Sequence, residues 1–121
     1  MNRWLALFFD ATAIALFALF ARVAHQSDDM PLSVSGWFST MLPFLAGAFL
    51  AYLVVILPLK AHVEFIRPAG LSVWVFAVVI GLSVWGFNNG GIPHWSFIIV
   101  ATTASAILVL GWRALYRVIS K

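Results

Sequence analysis

Long apolar runs separated by short polar segments make up most of the chain. The runs that are long enough for a membrane-spanning helix, which needs about 17–25 apolar residues, cover residues 4–24, 36–59, 70–87 and 92–112. Proline, glycine, asparagine and charged residues, which favour turns and loops, fill the segments between them. The pattern therefore predicts an all-α fold, an integral membrane four-helix bundle that forms a single domain over residues 1–121.

Composition supports the membrane class. The chain is 64% hydrophobic and 9% charged, whereas soluble domains have about 45–50% apolar and about 25% charged residues. Because the chain has no cysteine, it cannot form a disulfide, a thiolate metal site or an iron–sulfur cluster. The first run is longer than the signal-peptide core of about 7–15 residues, and its end, Ala21–Ala24, offers no A-x-A cleavage site. We therefore expect the first run to be retained as a span.

The basic residues predict the orientation of the spans. With four spans, both termini and the 60–68 loop share one side of the membrane. That side holds every lysine and arginine except Arg22, namely Arg3, Lys60, Arg67, Arg113, Arg117 and Lys121. Since cytoplasmic loops are enriched in these residues, we expect both termini to be cytoplasmic. The basic residues are scattered and form no patch, so the net charge of +3 does not indicate a nucleic-acid partner.

Six tryptophans lie toward the ends of the predicted spans. The pentapeptide GLSVW occurs at residues 70–74 and again at 81–85, which places Trp74 and Trp85 on one helix face about 16 Å apart. Since tryptophan prefers the headgroup level, we interpret all six as interface anchors, and a face packed inside the bundle is the alternative for the repeated pair. The predicted cytoplasmic belt contains Trp4, Trp74 and Trp112, and the outer belt contains Trp37, Trp85 and Trp95.

Small residues and one proline predict how the helices pack. Gly47 and Ala51 in the second run, like Ala101 and Ser105 in the fourth, have the four-residue spacing that lets helices approach closely. Pro43 should kink the second span and free a backbone carbonyl. That carbonyl either serves a binding site or is satisfied by a neighbouring threonine or a water molecule.

Asp10 lies inside the first apolar run, about 9 Å along the helix from Trp4. An ionisable residue in this position is costly and indicates a site with a partner to be identified. Candidate partners are Arg67 and Arg113, which come from the cytoplasmic ends of other spans. One interpretation is an ion pair or a helix-dipole interaction that locks the first span in place. The other is a carboxyl group that exchanges protons or cations.

Polar residues cluster at the outer end of the first span, where a histidine and two aspartates could bind a divalent cation. Arg22 can extend to the headgroups, and His25, Asp28, Asp29 and His94 share its side of the membrane but match no metal-site spacing. No histidine lies within an apolar run, which argues against a membrane-embedded haem. No hydrolase, metalloprotease or phosphate-binding motif is present either. We therefore expect no bound metal, no cofactor and no enzymatic activity.

Motifs in four segments carry a family resemblance, and the segments are Asp10–His25, Pro43–Gly47, Arg67–Trp74 and Leu110–Arg113. They resemble an uncharacterised, mostly actinobacterial membrane family, domain of unknown function 3054, whose first span has an early aspartate and ends in Gly-Arg-x-x-His. Here Ala21 replaces that glycine, and the arginine expected near the end of the third span is absent around Trp85. The resemblance implies a four-helix fold in a bacterial plasma membrane. It also singles out Asp10, Arg22, His25, Pro43, Trp74 and Arg113 for testing.

Two functional hypotheses follow. The leading one is a non-enzymatic accessory or structural subunit of a membrane assembly, because few polar residues are available to line a pathway. The alternative is a small proton-coupled transporter that uses Asp10 and acts as a homo-oligomer, since small multidrug exporters also have four spans with an acidic residue in the first. An enzyme that acts on lipid has the least support. Expected partners are the bilayer and either another membrane protein or further copies of the chain.

Overall fold

The computed structural model describes residues 2–24, 34–88, 90–91 and 95–120. Within these residues, four helical segments are long and apolar enough to cross a membrane, so the predicted all-α, four-helix fold of a multi-pass membrane protein is confirmed. The helices are α1 (Arg3–Ala24), α2 (Val34–Ala51), α3 (Leu71–Asn88) and α4 (Trp95–Ile119).

Helix α4 extends further than the sequence pattern predicted. The apolar run ends at Trp112, but the helix continues through Arg113 and Arg117 to Ile119. Charged residues lower the local hydropathy without interrupting the backbone hydrogen bonds of a helix, so hydropathy alone places the end too early. As a result Arg113 lies inside a helix rather than at its end, and its side chain is fully buried.

The second span continues beyond α2 through an irregular segment. A π-helical turn over Tyr52–Ile56 is followed by a last α-helical turn at Leu57–Leu59. Pro58 accounts for the wider turn, because proline has no N–H for the carbonyl four residues earlier and its ring pushes that carbonyl away. Lys60 then takes a left-handed conformation, with φ of 53°, which commonly ends a helix.

Helices α2 and α3 form the most extensive helix pair of the bundle, and two glycines allow their contact. A Cβ atom at Gly47 would lie 2.8 Å from the Cα atom of Ala77 on α3. A Cβ atom at Gly81 would lie 2.5 Å from the Cγ atom of Phe44 on α2. Both distances are too short for real atoms, so these positions accept only glycine at this helix separation. The close approach predicted at Gly47 is confirmed.

The tryptophans fall into two groups. Trp37, Trp74 and Trp112 donate their indole N–H groups inside the bundle, to the carbonyls of Ala15 and Thr102 and to the Asp10 side chain. Because an N–H group directed into hydrocarbon needs an acceptor, these three half-buried rings turn their polar edges toward the bundle. Trp4 and Trp95 are exposed, while Trp85 packs on Phe97. For all six, anchoring at the headgroup level stays a prediction.

Replacing Gly47 by alanine should lower the free energy of unfolding by about 1–3 kcal/mol, the usual cost of overpacking, because the new methyl group meets the α3 backbone. Gly111→Ala is the matched control. Open space surrounds Gly111, so the better helix propensity of alanine should leave stability unchanged or raise it by up to about 1 kcal/mol. Unfolding of both variants in detergent measures the difference. Equal stability of Gly47→Ala and the wild type would contradict the α2–α3 contact.

Candidate functional site

Asp10 on α1 and Arg113 on α4 form an ion pair in the interior of the bundle, where both side chains are fully buried. Two guanidinium nitrogens donate to the two carboxylate oxygens, Nη1 to Oδ1 over 2.6 Å and Nη2 to Oδ2 over 2.8 Å. This two-pronged geometry is the one in which arginine binds a carboxylate most strongly. Of the two candidate partners of Asp10, Arg113 is the actual one, whereas Arg67 is exposed in the turn before α3.

Two aromatic side chains complete the shell around Asp10. The Tyr52 hydroxyl donates to Oδ2 over 2.6 Å, and the Trp112 indole N–H donates to Oδ1 over 2.8 Å. Each carboxylate oxygen therefore accepts two hydrogen bonds, which uses about all four lone-pair positions of the group. A proton or a cation can bind Asp10 only if it displaces one of these donors.

The guanidinium of Arg113 is bound on its other edges as well. Its Nε donates to the Val63 carbonyl over 2.9 Å, and Nη1 also donates to the Val109 carbonyl over 3.1 Å. Its Cζ lies 4.4 Å from the centroid of the Trp112 ring, which is within the range of a cation–π interaction. Its aliphatic stem crosses Gly70, where a Cβ atom would lie 2.8 Å from Cδ. A side chain at position 70 would therefore displace the arginine.

Local backbone features bring these groups together. Tyr52 begins the π-helical turn before Pro58, and such turns, which hold an additional residue, often redirect side chains at functional sites. After the left-handed Lys60, the connection 61–65 places the Val63 carbonyl against Arg113. The ion pair therefore joins α1, the second span, this connection and α4.

The ion pair contributes to stability only as a complete unit. Removing a charge from water costs several kcal/mol per ion, and inside a membrane no water is available to offset that cost. The two hydrogen bonds between Arg113 and Asp10 compensate both charges locally. The Tyr52 hydroxyl adds a donor to the carboxylate, and the Val63 carbonyl adds an acceptor for the guanidinium. Loss of either partner leaves the other charge buried without compensation.

A second buried arginine lies at the opposite end of α1. Arg22 is 7% exposed, and its Nε donates to Thr40 Oγ1 over 2.8 Å while Nη2 donates to Ser39 Oγ over 3.1 Å. The side chain thus bridges to α2, which corrects the expectation that it extends to the headgroups. The reason is that two hydroxyl groups on the facing helix supply acceptors within its reach.

The remaining predicted residues that the structure describes do not join the ion pair. Pro43 is buried within α2, and Trp74 binds the Thr102 carbonyl of α4, about three turns away from Arg113 along that helix. No group of three metal-ligating side chains occurs among the described residues. Outside the described residues lie His25, Asp28, Asp29 and His94.

Sequence reasoning missed Tyr52 and the Val63 carbonyl, and it assigned Trp112 a different role. Tyr52 did leave a signal, because it is a phenol within a long apolar run and a buried hydroxyl needs a hydrogen-bond partner. The Val63 carbonyl left none, since every residue has such a group. Only the path of the connection selects it.

Asp10→Asn and Arg113→Ala should each lower the free energy of unfolding by about 3–5 kcal/mol, the cost of breaking a buried ion pair. The double variant should lose less than the sum, with a coupling energy of about 1 kcal/mol or more. Arg67→Ala removes an exposed arginine and should change stability by no more than about 0.5 kcal/mol. Unfolding in detergent measures all four variants, and strictly additive losses at positions 10 and 113 would contradict the pairing.

The chain matches a family described as "Protein of unknown function (DUF3054)" over residues 7–116. The matched region contains the whole ion-pair site, from Asp10 through Tyr52 to Arg113. No curated protein and no solved structure matches the chain. Because the family match covers more than half of the sequence and confirms the resemblance of its motifs, the protein belongs to the DUF3054 family of proteins of unknown function.

Proposed function

We propose that this protein is a non-enzymatic accessory or structural subunit of a membrane assembly. The closed coordination of Asp10 carries the proposal. The carboxylate is fully buried and accepts hydrogen bonds from Arg113, Tyr52 and Trp112. A carboxylate bound in this way holds helices in place and leaves no lone pair for a substrate or an exchangeable ion.

Other polar groups in the spans support the same role. Arg22 bonds to hydroxyl groups on α2. Thr102 and Thr103 donate to carbonyls of their own helix, a common way to satisfy a hydroxyl in a membrane. These groups serve helix packing and helix-to-helix contact, which is what a subunit with a structural role requires.

A proton-coupled transporter that uses Asp10 has less support. Its carboxylate would have to be reached by water from each side in turn, and Arg113 would have to release it during the cycle. The Trp112 ring donates to the carboxylate, and the Phe9 ring of α1 packs on Trp112 with centroids 5.1 Å apart. Transport would therefore need a rearrangement of α4 relative to α1.

For location, we propose a bacterial plasma membrane with both termini in the cytoplasm. Arg3, Lys60, Arg67 and Arg117 are all exposed, and Arg3 and Lys60 line one pocket at the same end of the bundle. An excess of basic residues at one end favours the cytoplasmic side. The bacterial location is what the family resemblance implies.

Native mass spectrometry of the protein, gently extracted from its own membrane, tests the subunit role. We expect a stoichiometric complex with a second protein. Two results together would contradict the proposal and favour the transporter. They are a homo-oligomer without a second protein, and pH-driven flux that a folded Asp10→Asn variant loses. Arg67→Ala is the control in the flux assay, because it removes an exposed charge that is not a hydrogen-bond partner of Asp10.

Single cysteines test the orientation, since the chain has no cysteine of its own. In intact cells an impermeant maleimide should label Gly91→Cys, which lies in the turn before α4, and should label Lys121→Cys only after the membrane is permeabilised. Labelling of Lys121→Cys in intact cells, with Gly91→Cys protected, would reverse the proposed orientation.

A further inference from the structure

Two adjoining cavities open at the basic end of the bundle. A pocket of about 520 Å³ lies between the start of α1, the end of the second span and the 61–65 connection. A narrower groove of about 190 Å³ runs between α1 and the second span. Arg3, Trp4 and Leu57 line both cavities, so the two form one continuous crevice.

The wider cavity is polar and basic. Its lining includes Arg3, Lys60, His62 and Glu64. The Glu64 carboxylate lies 3.7 Å from His62 Nδ1, whereas neither Arg3 nor Lys60 has an ion-pair partner in the part of the chain that the structure describes. Two cationic side chains and one carboxylate line the pocket, so its balance of charge attracts an anion.

The narrower cavity is apolar. Apart from the shared residues, its lining consists of Leu7, Phe49, Tyr52 and Leu53. From Leu57 to Phe49 it follows the second span for about 12 Å. That length is more than a third of a hydrocarbon core of about 30 Å. A hydrocarbon chain fits this depth and polarity, and a soluble anion does not.

We infer that the crevice binds an anionic phospholipid. Its phosphate lies between Arg3 and Lys60, and one acyl chain lies in the groove along Phe49 and Leu53. The crevice lining changes from basic to apolar at Arg3 and Trp4, where α1 begins. A phospholipid changes in the same order, from a charged phosphate to apolar acyl chains. The ammonium group of a zwitterionic headgroup would be repelled by these two basic side chains, so their charge favours an anionic headgroup.

The lipid would contact two residues that hydrogen-bond to the ion pair. Tyr52 lines the groove and donates its hydroxyl to Asp10, and Val63 lines the pocket and accepts from Arg113. A ligand that binds only the folded state stabilises it, and the stabilisation grows with the logarithm of the free ligand concentration once that concentration exceeds Kd. The inference goes beyond the subunit role and does not depend on it, since a transporter could bind the same lipid.

Native mass spectrometry and the thermal midpoint in detergent test the inference. The probes are phosphatidylglycerol, phosphatidylcholine with the same acyl chains, and glycerol phosphate. Phosphatidylglycerol should bind about tenfold or more tightly than phosphatidylcholine, as two basic residues near a headgroup would give, and should raise the midpoint. Glycerol phosphate should not bind measurably, because it has no acyl chain for the groove.

Matched variants locate the site. Arg3→Gln combined with Lys60→Gln should remove the preference for phosphatidylglycerol, and both side chains are exposed, so the core is left intact. The control, Arg67→Gln combined with Arg117→Gln, removes the same charge outside the crevice and should keep the preference. Leu53→Trp should fill the groove and weaken the binding of both lipids.

The neighbouring Val54→Trp, which is outside the crevice lining, should leave lipid binding unchanged. Equal binding of the two lipids by the wild type would overturn the inference. Equal loss in both charge-removal variants would also overturn it and would show a general surface effect. Tight binding of glycerol phosphate would overturn the inference as well, and would show that the crevice binds a free anion and not a lipid.

Discussion

A carboxylate and a guanidinium are stable inside a bilayer only when each compensates the other and their remaining hydrogen-bonding positions are filled. The Asp10–Arg113 pair meets this condition through the Tyr52 hydroxyl, the Trp112 indole and the Val63 carbonyl. These groups belong to parts of the chain far apart in sequence, so the bundle has to close before any of them is satisfied. The ion pair thereby makes the arrangement of α1, the second span and α4 specific, whereas apolar packing in lipid gives little specificity of this kind.

The irregular parts of the backbone serve this pair. The π-helical turn before Pro58 begins at Tyr52, and Lys60 turns the chain into the connection that carries Val63. Gly70 leaves the space that the stem of Arg113 occupies. The other glycine of the GLSVW repeat, Gly81, lies under Phe44 in the same manner. The repeat therefore marks two positions of the third span, one just before α3 and one within it, where a large side chain of a neighbouring helix packs closely.

The same closure limits what the bundle can do. A saturated ion pair favours a rigid scaffold, and in the proposed structural role such a scaffold would act through what it binds at its surface. The crevice beside Arg3 and Lys60 lies against Tyr52 and Val63, so a lipid there would stabilise the scaffold from outside. The proposed subunit role and the proposed lipid site are compatible, because in both the bundle binds a partner at its surface.

Sequence alone determined the number of spans, the all-α class, the family resemblance and the choice of Asp10 and Arg113 as important, because hydropathy and the cost of a buried charge are local properties. Tertiary structure decided between Arg67 and Arg113, directed Arg22 toward α2, and turned Trp37, Trp74 and Trp112 inward. It also selected Tyr52 and the Val63 carbonyl. Which groups meet depends on helix rotation and on the path of a connection, and neither is encoded in the composition of a single span.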